Sequence, residues 1–561
     1  MKFSFTEEIP EVARKQLGEF DDLIARLLFH RGITTEESAQ AFVSPDYDAH
    51  THDPFLMAGM DRAVERILKA IDTKERFTVH TDYDTDGIPA GVLLHDFFKK
   101  VDAHFENYIP HRHNEGYGLS VQAVERHAQE GSTLILTADC GITDVAAVAR
   151  ANELGVDVII TDHHIPHEKL PDAYVILDPK LPDNTYPFNE LCGAGIAYKL
   201  VQALLSRGNF DVPHGWEKWL LDMAGLATIA DMVPLVGENR VLATYGLLVL
   251  RKSPRPGLRT LLRLMRVNQQ MLTEDDVGYM IGPRINAASR MGEPMRAFHL
   301  LTTTDQAEAE RLAKELESTN RKRKTAVATI TKEVKRKIRG RSTDRAVIVA
   351  GDPEWRPALL GLVANSVVEE YNRPVFLWGR EGNGILKGSC RGNESVNLVE
   401  LMQKVESYFL GIGGHADAGG FSVSQENVHH LEEVLHEAYQ GLDTTQNENE
   451  LVLDGELELE QVDMSLWRKI DQLAPFGMSN PKPLFLFRST HPSEVVWFGK
   501  NKDHLKLKFS NRLEAIAFFA KRDLGSQAEN VSINETCSFI GSVEFDPFRS
   551  SPRIRIHSVQ D

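Results

Sequence analysis

Three carboxylates and an imidazole crowd into seven residues, His80-Thr81-Asp82-Tyr83-Asp84-Thr85-Asp86, at the end of a short apolar run. Like charges this close raise one another's pKa unless a cation neutralises them. Hard carboxylate oxygens with an imidazole suit Mn²⁺ or Mg²⁺ better than a metal that prefers soft ligands. The chemistry to look for is therefore that of a bound divalent cation.

Three later segments repeat the layout of an apolar run ending in an acid or a histidine. Thr133-Leu134-Ile135-Leu136-Thr137-Ala138 leads into Asp139-Cys140-Gly141, and Val156-Asp157-Val158-Ile159-Ile160-Thr161 leads into Asp162-His163-His164. Ala173-Tyr174-Val175-Ile176-Leu177 leads into Asp178-Pro179. Short Val- and Ile-rich runs separated by helical stretches predict buried strands of a parallel sheet. Ligands bind outside the carboxyl ends of such strands, so these side chains should converge on one edge. A single Asp after a strand is usually a helix N-cap. Four such ends, one of them Asp-x-Asp-x-Asp and one Asp-His-His, point instead to a shared metal site.

The rest of the chain sets limits. Its 561 residues allow three or four domains, and 42% hydrophobic residues suffice for sizeable cores. Residues Met1 to Glu8 contain no h-region, and no apolar run reaches the length of a membrane span. Cys140, Cys192, Cys390 and Cys537 are far apart and form no Cys-x-x-Cys pair, the pattern of reduced thiols in a cytoplasmic protein. A net charge of −18 argues against a generic nucleic-acid coat but leaves room for a local basic channel. Two basic groups stand out. Arg321, Lys322, Arg323, Lys324, Lys332, Lys335, Arg336, Lys337, Arg339 and Arg341 face a single acid, Glu333, in that interval. Arg251, Lys252, Arg255, Arg259, Arg263 and Arg266 form the second. Each reads either as a solvated helix face or as a surface that tracks phosphates.

These features divide the chain into five parts. Residues 1–60 read as a helical cap without identifiable chemistry, and 61–304 as an α/β domain holding the metal-site segments. Residues 305–341 show a long Pro-free helical pattern, acidic first and basic later, suited to connecting two lobes. A smaller α/β domain occupies 342–440, starting near Ala346-Val347-Ile348-Val349-Ala350. The polar stretch 440–449 reads as a linker. Short alternating strands such as Leu505-Lys506-Leu507-Lys508-Phe509 and Ile554-Arg555-Ile556 then predict a small β-barrel within 441–561.

Taken in order, the motifs resemble the DHH phosphoesterase superfamily, close to its RecJ branch of 5′→3′ single-strand-specific DNA exonucleases. Asp82-Tyr83-Asp84-Thr85-Asp86-Gly87, Asp139-Cys140-Gly141-Ile142, Asp162-His163-His164 and Ala230-Asp231-Met232-Val233-Pro234-Leu235 resemble its four DHH motifs. Gly282-Pro283-Arg284-Ile285-Asn286-Ala287-Ala288-Ser289-Arg290-Met291-Gly292 is similar to a RecJ signature. Ser389-Cys390-Arg391 and the run from Gly413 to Gly420 resemble the DHHA1 substrate-binding domain. Pro475-Phe476-Gly477-Met478-Ser479-Asn480-Pro481 resembles the segment that rejoins an oligonucleotide-binding (OB) barrel. Ser289, the Trp355-Arg356-Pro357-Ala358 stretch and Gly392 depart from the usual pattern, and none of these departures removes a metal ligand.

The resemblance implies a parallel-sheet DHH domain, a connecting helix, a DHHA1 domain and an OB-type barrel. It implies two cations, Mn²⁺ or Mg²⁺, with Asp139 as bridging and catalytic ligand. Asp84, with His80 helping, would hold one ion, and Asp86, His163 and Asp231 the other. Asp82 would be either a further ligand or an acceptor that orients one. His164 would lie at the scissile phosphate or brace a ligand. Ser389, Arg391, Gly413, Gly414 and His415 would bind phosphate, and Arg284, Asn286, Arg290 and Arg112, with Tyr117, would contact the DNA backbone. Trp497, Phe498, Phe518 and Phe519 would either stack on bases or fill the core of the barrel. The activity implied is release of 5′-mononucleotides from single-stranded DNA in repair and recombination, by a monomer working beside a single-strand-binding protein and a helicase. A phosphodiesterase for short oligonucleotides or cyclic dinucleotides, and a silent DNA-binding scaffold, are the alternatives. The C-terminal β-rich part argues against the first, and the complete ligand set against the second.

Overall fold

The Val-, Ile- and Leu-rich runs pair as their pattern predicts. The computed structural model describes residues 2–339, 345–380, 384–442, 450–533 and 535–560. Arg341 and the linker residues 443–449 lie outside them. Five parallel strands form the first sheet, in the spatial order Phe105–Tyr108, Phe77–Thr81, Leu134–Ala138, Asp157–Thr161, Val175–Leu177. The two faces carry separate cores. Leu134 and Leu136 pack with Ile88, Leu93 and Ala194 on one, while Ile135 packs with Val124 and Val148 on the other. Burial on both faces is why these strands read as continuous apolar runs. In the register, Thr81, Ala138, Thr161 and Leu177 stand in one row. Asp82, Asp139, Asp162 and Asp178 therefore leave the sheet at a common edge.

A 33-residue helix, Gln306–Ile338, follows this lobe. The Asp305 side chain caps it by accepting from the Glu308 N–H at 2.6 Å, and Lys335, Arg336 and Lys337 complement the opposite end of its dipole. The second lobe is a five-stranded sheet ordered Phe409–His415, Ala418–Val423, Leu386–Arg391, Val375–Arg380, Ile348–Gly351. Its Pro357–Tyr371 helix packs on the connecting helix, where Ile330 and Val334 meet Leu359, Val363 and Val367.

The C-terminal part holds seven strands rather than the five or so expected, in the order Gly455–Glu456, Phe485–Thr490, Cys537–Asp546, Ser551–Gln560, Glu514–Ala517, His504–Lys508, Glu494–Phe498. Among the described residues no pairing joins the first strand to the last, so the sheet is not a closed barrel. Trp497, Phe498 and Phe518 are half-buried, Trp497 packing against the buried core, and Phe519 is exposed. A cation sits over each ring: Lys521, Lys506, Arg555 and Arg522 respectively.

The N-terminal residues have a structural task that their sequence hid. Besides helices at Glu11–Gln16, Asp22–Phe29 and Glu36–Val43, they form a strand, Phe3–Phe5, parallel to Leu451–Leu453 of the C-terminal part. Arg31 donates to Asn480 Oδ1 at 2.7 Å and to the Pro481 carbonyl at 2.6 Å. The buried Arg240, from the first lobe, donates to the carbonyls of Phe42, Gln472 and Ala474 and lies 3.6 Å from the Phe42 ring centroid. One guanidinium thus ties together three distant segments. Removing it leaves three inward carbonyls short of a donor, at a cost of about 3 kcal/mol. Arg240→Ala should therefore release the cap and the 472–480 segment together. Hydrogen exchange should show joint loss of protection in Asp22–Phe29 and around Gln472–Asn480, with Leu134–Ala138 still protected. Loss in only one of the two would contradict the staple.

Candidate metal centre

Each side chain at the common edge is aimed by its backbone. Asp139 adopts a left-handed conformation, φ 64°, at the end of its strand, which turns its carboxylate back over the sheet edge. Such a φ is uncommon for a non-glycine residue and persists only where surrounding contacts enforce it. Its N–H is held by the Thr161 carbonyl at 2.9 Å. Asp84 closes its own turn by accepting from the Asp86 and Gly87 N–H groups at 2.8 and 3.1 Å. Asp86 accepts from the Gly193 and Ala194 N–H groups at 2.6 and 2.7 Å, at the start of the Gly193–Arg207 helix. Position 193 has to be glycine, because a Cβ there would stand 2.5 Å from the Asp139 Cβ and 2.8 Å from its Oδ1.

Asp162 positions both histidines. Its Oδ1 accepts from the His163 N–H at 2.8 Å, the His164 N–H at 3.2 Å and the His164 ring Nδ1 at 2.7 Å, while Oδ2 accepts from the Ile142 N–H at 2.9 Å. His163 Nε2 then lies among three carboxylates, 3.1 Å from Asp139, 3.5 Å from Asp86 and 3.8 Å from Asp231. Among the described residues, ligand atoms gather within 4.8 Å of one another in three overlapping groups: Asp82, Asp84 and Asp139; Asp86, His163 and Asp231; and Asp139, His163 and His164. Asp139 belongs to two of them.

The electrostatics show what the cluster lacks. Burial, followed by the neighbouring carboxylates, pushes Asp82 and Asp139 well above the usual carboxylate range. The same causes raise Asp86 to about 6 and Asp231 to about 9. Burial pulls His163 down to about 3, keeping its imidazole neutral as a ligand must be. For His164, burial is outweighed by Asp162, and its pKa rises to about 9. Asp82 Oδ1 and Asp139 Oδ1 are buried with no hydrogen-bond donor. Orphaned, mutually repelling carboxylate oxygens beside a neutral imidazole are the donor set of a hard divalent cation.

His80 requires a correction. It is fully buried beneath the edge, with Nδ1 at 3.3 Å from His127 Nε2 and Nε2 at 3.2 Å from the Gly118 carbonyl. As a strand residue one place before the edge row, it faces the core next to Tyr108, and Asp82 occupies the position in the cluster expected of it. Arg284 is likewise turned inward, donating to Glu317 at 2.6 Å and to the Met280 carbonyl at 2.7 Å, so it braces the connecting helix instead of facing a ligand.

The other predicted cations gather beside the cluster. Arg112 lies 4.7 Å over the Tyr83 ring. Arg290 donates to the Ala358 carbonyl of the second lobe at 2.7 Å. Burial and the charges of Arg112, Arg323 and Arg391 lower Arg290 to about 10, while Asp84 acts on it in the opposite sense. Asn286 is half-buried on the same helix as Arg290. In the second lobe, Arg391 and His415 flank Ala418 in one row, and Ser389 and Gly413 flank Gly420 two residues along. All four thus share one sheet face. The glycine run lies in an antiparallel ladder, with Gly414 paired to Gly419. Sequence reading missed Asp162 as the histidine anchor and Gly193-Ala194 as donors to Asp86. The only signal for the latter was the small-residue run Gly193-Ala194-Gly195 opening a helix. Tyr117 proved closer to the centre than its sequence suggested, its hydroxyl donating to the Asp139 carbonyl at 3.3 Å and lying 3.2 Å from His164 Nδ1.

Comparison with known proteins agrees with this geometry. Residues 76–228 match the DHH family N-terminal domain, 344–441 the DHHA1 domain and 453–559 the RecJ OB domain. The single-stranded-DNA-specific exonuclease RecJ of Bacillus subtilis is 37% identical over 95% of this chain and 67% of its own length. The crystal structure of RecJ from Thermus thermophilus in complex with Mn²⁺ superposes with a TM-score of 0.83 at 28% identity, over 100% of this chain and 79% of that one. The Mg²⁺ complex from the same organism gives 0.77 at 26% identity, over 100% and 78%. With three domain models in the same order and this identity sustained along nearly its whole length, the chain belongs to the RecJ family.

Proposed function

We propose that this protein is a metal-dependent exonuclease that hydrolyses single-stranded DNA from the 5′ end and releases 5′-mononucleotides. The observation that carries the reading is the orphaned carboxylate–histidine cluster with arginines from both lobes beside it, in a chain of the RecJ family. In this reading Asp82, Asp84 and Asp139 would hold one cation and Asp86, His163 and Asp231 a second. The ions are Mn²⁺ or Mg²⁺, as in the Thermus relative. When bound, such a pair supplies a water of lowered pKa and draws charge from the phosphodiester.

The chain's own groups do the remaining work. Asp162 keeps His164 protonated at Nδ1 and fixes its ring, so that the imidazolium offers a hydrogen bond to the phosphate or a proton to the leaving oxygen. Arg112, Arg290 and Arg391 attract and orient the phosphate, with Ser389, Gly413 and His415 on the facing sheet. Half-exposed aromatic rings under cations in the C-terminal domain suit stacking on unpaired bases. We divide the chain into cap, DHH domain, connecting helix, DHHA1 domain and OB domain at 60, 304, 341 and 440; the helix Gln306–Ile338 supports the third of these parts, and the boundary at 341 lies outside the described residues. One copy supplies every ligand, which supports a monomer. An enzyme confined to single strands needs a helicase to open duplexes and a binding protein to keep them open, so these are the proposed partners, in the cytoplasm where DNA and reduced thiols coexist.

The direct test is digestion with Mn²⁺ of single-stranded DNA labelled at either end and of blunt duplex. Mononucleotide should appear from the 5′ end of the single strand alone; cleavage confined to two- to five-residue oligonucleotides would favour the small-substrate phosphodiesterase. Asp139→Asn should lower turnover at least about a thousandfold, the scale of losing a principal electrostatic contact. Its binding of the same oligonucleotide in EDTA should stay within about threefold, since phosphate contacts dominate that affinity. Near-normal turnover would remove Asp139 from the mechanism. The raised carboxyl groups make a further prediction. Without metal, the fold binds more protons than the unfolded chain from the ordinary carboxylate pKa up to about 9, the value for Asp231. Stability of the metal-free protein therefore falls as pH rises through that window. Cations displace those protons and reverse the loss. Mn²⁺ should raise the unfolding temperature more at pH 8.5 than at pH 6, and calorimetry in two buffers should detect released protons. Equal shifts at both values would argue that the cluster is already fully ionised.

A further inference from the structure

The long helix carries more positive charge than its structural task requires. Between its second half and the Pro357–Tyr371 helix lies a trough of about 1030 Å³. Six cations line it, Arg323, Lys324, Lys332, Lys335, Arg336 and Arg339, against one acid, Glu333. That acid is engaged by Trp355 Nε1 at 2.7 Å, and of the six cations Lys335 is paired with Glu370. Lys332, Arg336 and Arg339 are exposed and have no carboxylate within ion-pair distance among the described residues. In a protein of net charge −18, such a concentration stands against the overall potential.

The position of the trough decides what it fits. Arg323 opens it and is near enough to Arg290, beside the metal cluster, for its charge to lower that guanidinium's pKa. Arg290 in turn bonds to Ala358, and the opposite wall continues from there through Leu362 and Ser366, each one turn further on. From Arg323 to Arg339 the helix advances about 24 Å at 1.5 Å per residue. Lys332, Arg336 and Arg339 recur about once per turn. The rest of the helix's lining is small, Val327, Ala328, Thr329 and Thr331, and the trough is lined by no aromatic ring on which a base could stack.

We propose that this trough carries the phosphate backbone of the substrate strand beyond the nucleotides held in the metal centre. The inference rests on the exonuclease reading for its ligand, and it assigns the strand a path along the connecting helix. Contact there is to phosphates alone, so it is indifferent to sequence and adds affinity only for strands long enough to reach it.

The test compares the full chain with the triple variant Lys332→Gln/Arg336→Gln/Arg339→Gln. Fluorescence anisotropy in EDTA measures binding of 5- and 20-nucleotide single strands across a salt series. The variant should bind the 20-mer about tenfold or more weakly, and its log–log salt slope should fall by about 2, as three lost contacts at about 0.7 each require. Binding and Mn²⁺-dependent cleavage of the 5-mer should match the wild type. If the triple variant melts early, Arg336→Gln and Arg339→Gln singly carry the test, each expected to lower the slope by about 0.7. An unchanged slope and 20-mer affinity would overturn the proposal. So would poly-glutamate that binds the wild type but not the variant while DNA affinity stays equal, since the trough would then belong to an acidic peptide. Because binding is read without metal, a chain that loses 20-mer affinity through these substitutions yet cleaves nothing would overturn the exonuclease reading and leave the trough standing.

Discussion

The architecture answers one electrostatic problem: five carboxylates, Asp82, Asp84, Asp86, Asp139 and Asp231, crowd one sheet edge, and three of them, Asp86, Asp139 and Asp231, surround one neutral imidazole. Mutual repulsion in a desolvated site would scatter or protonate them. The fold prevents scatter with backbone. A parallel sheet brings strand ends to one edge, a helix N-terminus fixes Asp86, and a left-handed residue aims Asp139. The absence of a side chain at Gly193 lets that helix approach to within contact of Asp139. Charge is left for cations to neutralise, at ligands whose positions the backbone already fixes.

Compensation of opposite sign is provided from outside the cluster. Arg112, Arg290, Arg323 and Arg391 come from the first lobe, the connecting helix and the second lobe, and their charges act on one another. Cations this close are themselves unfavourable without an anion between them, so the arginines and the carboxylates pose complementary demands. A phosphodiester lying between the two sets would satisfy both. The interlobe bond from Arg290 to Ala358 and the bracing of Arg284 on Glu317 keep those halves in register. Arg31 of the N-terminal cap and Arg240 of the first lobe do the same for the C-terminal domain.

Much of this was legible in the sequence because strand ends and metal ligands coincide. A Val- and Ile-rich run followed by Asp gives both the element and the side chain it delivers, so Asp84, Asp86, Asp139 and His163 stand out from the sequence alone, whereas Asp231, at the end of the helix Leu221–Ala230, is reached only through the family resemblance. What failed were inferences that needed facing. His80 is four residues before Asp84 and looks equivalent to it, but the strand ends at Thr81, so Asp82 and Asp84 leave on the turn that follows while the His80 ring stays within the sheet beside His127 and Tyr108. Arg284 and Arg290 share one helix, and only the latter points between the lobes, since six residues is not a whole number of turns. The strand pairing of the glycine run is likewise not legible in its composition, and the register sets Gly413 opposite Gly420 and Gly420 opposite Ser389. Phe3–Phe5 was unreadable for a similar reason, its partner being more than four hundred residues away.

Net charge is the coarsest descriptor of this chain and the least faithful guide to its ligand. At −18 the molecule as a whole repels a polyanion, and salt screens that repulsion beyond about 8–10 Å. Within that range only local charge matters, and the cations are not spread evenly. They stand at the cluster's rim, along one side of the connecting helix and over the aromatic rings of the C-terminal domain. A nucleic acid approaching an acidic surface finds attraction at those places. The negative background is therefore part of the selection: it discourages adsorption elsewhere and leaves the strand a restricted set of positions, one of which ends at the carboxylates that only bound cations make tolerable to it.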